Sequence, residues 1–345
     1  MARYHDKKYL IKYDLDVDLF QKLNLDIIDI IPLRKVYILD TTEGKKILKR
    51  MEYGKEKIEF IDWCTKKLYE KSEQVMTFNK VSKDDIYLEW NGEKYVLMDL
   101  LKGRELTFSN PIEYRKAVNL LANIHLYGNQ IIKDEDREYI MKKLDKGLIE
   151  KFKEYIDDVE DIYRWVIKYR YLNEFDKIFI ENVDLYLEEM KESLELLNKS
   201  NYTNIRNNYE NLVICHNDLA EHNFLIDDNE EISIIDFDYA SIDLKIQDLA
   251  DILCKGIKNV AFEFKKGLDI INEYNAINNI SDEEFKILYS ILLFPRDFYS
   301  VIKNYYHKDK DWEEIVFLNR LKNKVINDKN RREFLYEYKL KYNIK

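Results

Sequence analysis

The chain has 345 residues, 46% of them apolar, enough for two lobes with substantial cores. Its 56 Lys and Arg are outnumbered by 66 Asp and Glu, and the net charge of −10 argues against a nucleic-acid surface as its main business. No run approaches the ~20 apolar residues of a membrane span, and the opening MARYHDKKYLIKYDLD has no apolar leader core, so a protein made and kept inside a cell is expected. Cys64, Cys215 and Cys254 are odd in number and far apart. They suit neither a disulfide framework nor a zinc site and read as small core hydrophobes.

In chain order, Leu15, Phe20 and Leu23 stand at helical spacing ahead of a strand-like IIDII. After Pro32, RKVYILDTTEGKKILKRM predicts two strands around a turn at 41–44, with Lys49 at the end of the second. Ile58, Ile61, Cys64 and Leu68 form one apolar stripe and predict a helix over 54–72. IYLEW and KYVLMDL flank Asn91 and Gly92 as a hairpin, and the second strand runs out into DLLKGRE. Asn110 followed by Pro111 is a helix start. The buried face of that helix is Ala117, Leu120, Leu121 and Ile124, and His125 is a packed core histidine. Residues 132–200 are helical and charged, with a stripe of Leu148, Phe152, Tyr155, Ile156, Val159, Ile162, Trp165 and Val166. Residues 257–345 are helical, interrupted at Pro295, and too apolar to be a tail.

The chain is organised around residues 212–239, LVICHNDLAEHNFLIDDNEEISIIDFDY. A short apolar strand leads into a polar loop at 216–223, and a strand, a turn and a last strand then deliver Asp236. The hairpin can fold Asp236 back beside the loop. One carboxylate, Asp218, is left to take a proton. An amide oxygen, Asn223, and a second carboxylate, Asp236, are left for a hard cation.

This H-x-D-x-x-x-x-N followed by a strand ending in D-F-x resembles the catalytic and metal-binding loops of protein-kinase-like phosphotransferases. With KILKR, YVLMDLLKGRE, LANIH and QDLA in order, residues 30–345 resemble the family of aminoglycoside and choline kinases. Closer still is its CotS-type spore-coat branch, through His222 beside Asn223 and the pattern LLFPRDFYSVIKNYYHKDKDW. The resemblance implies an α+β, bilobal protein-kinase-like fold. Residues 1–101 would be a small β-rich N-lobe, and 102–345 a larger, mostly helical C-lobe with a helical insertion at 132–200. It implies Asp218 as catalytic base, Asn223 and Asp236 as ligands of Mg²⁺, and His216 and Asp248 as supports of the catalytic loop. Lys49 would reach the phosphates of ATP. Glu59 on the following helix would pair with Lys49, with Glu56 and Asp62 as alternatives. Met98, Asp99, Leu100 and Leu101 would line the adenine. The implied activity is transfer of a phosphoryl group from ATP to a hydroxyl of a small molecule, with an inactive structural component of the coat as the alternative. Partners would be the nucleotide, that acceptor and other coat proteins, with neither nucleic acid nor membrane. The protein would be made in the cytoplasm of an endospore-forming bacterium and end in the spore coat. Two departures stand out. IPLRKVYILD has no glycine where a phosphate loop is expected, leaving Arg34 or Lys35 to substitute, and Asp-Phe-Asp replaces Asp-Phe-Gly.

Overall fold

Asn91 and Gly92 take φ of 50° and 80°, the left-handed pair of a two-residue hairpin, and fold Tyr87–Trp90 onto Glu93–Asp99 with Trp90 opposite Glu93. The structure, a computed structural model, describes residues 17–23, 25–33, 36–82, 85–258 and 261–344. Arg34 and Lys35 lie outside the described residues. The chain divides into two compact units. One holds the described residues up to Leu106 together with Ala220–Ala240; the other holds Thr107–Leu219 and the described residues from Ser241 onward.

The first unit is built on an antiparallel sheet. Its strands are β1 (Ile27–Leu33), β2 (Val36–Thr41), β3 (Gly44–Met51), β4 (Phe78–Asn79), β5 (Tyr87–Trp90) and β6 (Glu93–Asp99). The order is β1-β2-β3-β6-β4, with β5 also on β6. Helix α1 (Val17–Lys22) supplies Leu19 and Phe20 to a core completed by Ile30, Leu39, Leu48 and Leu97. Helix α2 (Lys55–Tyr69) buries the expected stripe: Ile58, Ile61, Cys64 and Leu68 are each at most 1% exposed. Strand β7 (Arg104–Glu105) lies against a second hairpin.

That hairpin is the later part of the central segment of the sequence. Strand β9 (Phe224–Ile226) pairs with β10 (Ile232–Ile234), Ile226 facing Ile232. It is fastened within the first unit, and not within a helical lobe spanning 102–345. Leu106 donates to the Phe224 carbonyl (3.1 Å), and Ile234 donates to Gln74 (2.7 Å) and accepts from Met76 (3.1 Å). The approach requires Gly103. At φ 134°, a Cβ there would lie 2.7 Å from the Ile226 oxygen.

In the second unit, α3 (Pro111–Asp134) starts as its sequence dictates, with the Asn110 side chain accepting from the Ile112 amide at 3.0 Å. It packs on β8 (Leu212–Cys215) through Gly128, whose Cβ would meet the Ile214 nitrogen at 2.8 Å. Residues 132–200 form α4 (Arg137–Lys142), α5 (Leu148–Val166) and α6 (Glu174–Lys199), and α7 (Tyr202–Asn207) follows. The α5 stripe is buried except for half-buried Tyr155 and for Trp165, which is 46% exposed and meets His307 edge-on. Trp165 lies next to Val166, and only Val166 falls in phase with the stripe of Leu148, Phe152, Ile156, Val159 and Ile162. Strand β11 (Ser241–Leu244) pairs antiparallel with β8 and runs into α8 (Lys245–Lys258). Helices α9 (Phe264–Ile277), α10 (Asp282–Leu293), α11 (Arg296–Tyr306) and α12 (Glu314–Lys341) complete the unit, Pro295 separating α10 from α11. Cys64 and Cys215 are buried free thiols, and Cys254 is a free thiol only partly buried.

Candidate active site

The residues singled out by sequence fall in both units. Within the first, Lys49 reaches out of β3 and its ammonium bonds two carboxylates at once, Asp236 Oδ1 and Asp238 Oδ1, each at 2.7 Å. The Lys49 side chain is 14% exposed. Burial alone would strip its charge, but Asp238 and Asp236 outweigh that and hold the ammonium above its ordinary range. Ile235 donates its amide to the Asn223 carbonyl at 2.9 Å, so the chain just before Asp236 is tied to the buried Asn223. Asp236 itself takes φ 67°, a left-handed conformation that costs a non-glycine residue energy and is retained where surroundings fix it.

The expected Lys49–Glu59 pair does not form. Glu59 lies 3.5 Å from Lys55, with half its side chain in solvent, and Asp62 is held by Lys66 at 2.7 Å. The phase of α2 explains this. Ile58 and Ile61 point into the core, which leaves Glu59 and Glu56 on the outside. Of the adenine-lining candidates, Met98 is buried and Asp99 is exposed, its carboxylate taken by Lys46 (2.5 Å) and Asn79 (3.0 Å). Leu100 and Leu101 are half-buried, and the Leu100 amide is spent on the Lys45 carbonyl.

Within the second unit, Asp248 organises the loop that carries Asp218. Its fully buried carboxylate accepts from the amides of His216 (2.6 Å) and Asn217 (2.8 Å) and from His125 Nε2 (3.1 Å). Burial would raise its carboxyl, yet the bonds and charge of His125 and His216 prevail and lower it. Asn217 turns the loop at φ 64°, and the Asp218 amide donates to His216 Nδ1 at 3.2 Å. His125 is the packed histidine expected, and it bridges Asp248 to α9, since its Nδ1 meets the Tyr274 hydroxyl at 2.6 Å. One turn along α8 from Asp248, Asp251 accepts from the Leu219 amide (2.9 Å), and Lys255 reaches Asp218 Oδ1 (2.7 Å).

Residues 19–338 match the protein family described as Spore coat putative kinase YutH. The chain belongs to this family. It is similar to spore coat protein S of Bacillus subtilis, with 22% identity over 319 residues, 88% of this chain and 86% of that one. Its fold is similar to that of an aminoglycoside phosphotransferase from Alicyclobacillus acidocaldarius, with TM-score 0.79 and 17% identity over 95% and 96% of the two chains. It is also similar to spectinomycin phosphotransferase APH(9)-Ia, solved with ADP and spectinomycin, with TM-score 0.64 and 16% identity over 92% and 94%. The fold is thus the α+β protein-kinase-like one.

The donor set of the first unit suits a hard divalent cation. Two carboxylates, Asp236 and Asp238, face the single ammonium of Lys49, which leaves one negative charge over. The excess shows at Asp238. Burial pushes its carboxyl up to about 6; Lys49 opposes that and Asp236 reinforces it. Oxygen-only donors with spare negative charge suit Mg²⁺ better than a softer metal. In the second unit, ligand atoms of His125, Cys215 and Asp248 lie within 4.8 Å of one another. There, however, burial holds the thiol protonated, and hydrogen bonds occupy both ring nitrogens and both carboxylate oxygens. That cluster is structural.

Asp238, Asp251 and Lys255 were not among the predicted site residues. Asp238 had a visible signal as the acid in place of glycine after Asp-Phe. Asp251 had its helical spacing from Asp248. Lys255 had none, being one of many lysines in the chain.

Proposed function

We propose that this spore-coat protein is an ATP- and Mg²⁺-dependent phosphotransferase acting on a hydroxyl of a small molecule. The observation that carries the reading is the largely buried Lys49 bonded to Asp236 across 187 residues of chain, just past the end of the strand whose Ile234 pairs with Phe224 beside Asn223. A charged group buried this far is retained at a cost unless its charge is used. In this reading Lys49 clamps the ATP phosphates, exchanging a carboxylate for a phosphate oxygen. Asn223 and Asp236, with Asp238 beside them, hold Mg²⁺, which when bound supplies charge neutralisation at the phosphates. Asp218, on the loop fixed by Asp248 and His216, orients the acceptor hydroxyl and takes its proton. Backbone groups at residues 98–101 other than the Leu100 amide supply the adenine contacts, and helices α4, α5 and α6 with the C-terminal helices shape the acceptor site. The spectinomycin enzyme binds ADP, and the likeness of fold supports nucleotide as the ligand here. Most of the catalysis is positioning and electrostatics.

Calorimetry of ATP with and without Mg²⁺, on the wild type and on Asp236→Ala, tests this. Mg²⁺-dependent binding that the substitution weakens is expected. No binding at millimolar nucleotide would reject the enzyme reading and leave a coat component that keeps the fold for assembly, in line with the missing glycine at 31–40.

A further inference from the structure

We propose that Lys255 is a catalytic residue of the transfer, its ammonium holding the Asp218 carboxylate and receiving a non-bridging oxygen of the terminal phosphoryl group of ATP. The proposal rests on the phosphotransferase reading above and deepens it. Lys255 Nζ lies 2.7 Å from Asp218 Oδ1 and 2.8 Å from Asp251 Oδ2. It is not a surface pair of the ordinary kind. The lysine side chain is 27% exposed and Asp251 15%. Asp251 also accepts from the amide of Leu219, the residue after Asp218. The ammonium is therefore fixed from two sides, by a carboxylate of its own helix and by the carboxylate of the loop. Burial works against its charge, but Asp251 and Asp218 together prevail and keep it protonated.

Position follows from that geometry. A hydroxyl oriented by Asp218 sits at hydrogen-bond distance from its carboxylate, roughly 2.6–3.2 Å. The phosphorus it attacks stands roughly 3–3.5 Å beyond. A cation already 2.7 Å from the same carboxylate is thus separated from the phosphoryl group by that carboxylate and the hydroxyl alone. An ammonium has three N–H groups, and the two carboxylates account for two. In the transfer, the hydroxyl oxygen forms a bond to the terminal phosphorus, and the bond from that phosphorus to the bridging oxygen breaks with its electron pair going to ADP. The hydroxyl proton passes to the Asp218 carboxylate and then to solvent. As Asp218 gains that proton its hold on Lys255 weakens, so the positive charge turns toward the phosphoryl group when it is needed.

A lysine that only bolts α8 to the loop would not sense the terminal phosphate, whereas a catalytic one distinguishes ATP from ADP. Calorimetry with Mg²⁺ should show Lys255→Met losing about tenfold or more in affinity for ATP, the scale of one charge-assisted hydrogen bond. Its affinity for ADP should be unchanged, and Lys255→Arg should recover part of the ATP affinity. Equal losses for both nucleotides, or none for either, overturn the proposal. Should the Met variant not fold, amine acylation of the wild type read by mass spectrometry decides. ATP but not ADP should protect Lys255, and equal protection or none overturns the proposal. If the wild type binds neither nucleotide, the phosphotransferase reading fails and this inference falls with it. If it binds both, only the role of Lys255 is being judged.

Discussion

Replacing Asp238 by Asn should stabilise the protein at neutral pH. In the fold, the Asp238 carboxyl is pushed up to about 6 by burial and, despite Lys49, by the neighbouring Asp236. In the unfolded chain it titrates near an ordinary ~3.9. A group whose folded pKa is raised contributes stability that is fully present below the unfolded value and lost as pH rises through the folded one. The wild type, freed of divalent cations, should therefore lose stability between about pH 4 and about pH 6. A shift of about two units corresponds to about 3 kcal/mol, and with the side chain only 17% exposed, little of this is relieved by solvent. Asn keeps an acceptor for Lys49 and cannot ionise, so the variant should gain up to that amount at pH 7. Urea unfolding of both proteins in a chelator, at intervals from pH 4 to pH 7.5, measures the difference. Parallel stability profiles would show that Asp238 carries no unfavourable charge and would refute the argument. Added Mg²⁺ should then raise the wild type more than the variant.

Three further outcomes follow from local packing. Asn110→Ala removes the cap of α3 and should cost about 1 kcal/mol in urea unfolding. Gly256→Ala places a Cβ 2.2 Å from the Tyr114 ring, whose hydroxyl donates to Ile252, and should cost about 1–3 kcal/mol, seen as a lower melting temperature. His125→Phe keeps a ring of similar size but removes one donor from Asp248 and the partner of the Tyr274 hydroxyl. A loss of about 2–4 kcal/mol is expected, with faster amide exchange at His216 and Asn217.

Much of the architecture was legible because it is decided within a few residues. Asn91 with Gly92 specifies a turn, Asn110 with Pro111 a cap, and the spacing of Ile58, Ile61, Cys64 and Leu68 a buried helical face. Each was found as expected, because backbone geometry and solvent exclusion act at that range. The order of polar residues from His216 to Asp236 likewise marked the loop and the hairpin. The partners of Lys49 were decided elsewhere. Helix α2 offered three acids close in sequence, and its own packing turned Glu56 and Glu59 to solvent and left Asp62 with Lys66. Asp236 and Asp238 took Lys49 instead, 187 and 189 residues away. Lys255 met Asp218 across 37 residues, in a helix whose periodicity speaks of its apolar face and says nothing of what a charged end will touch. Local hydrogen bonding and periodicity are written in the sequence itself. Which charges share a buried space is settled only when distant segments pack, since burial and the nearest opposite charge then decide the match together.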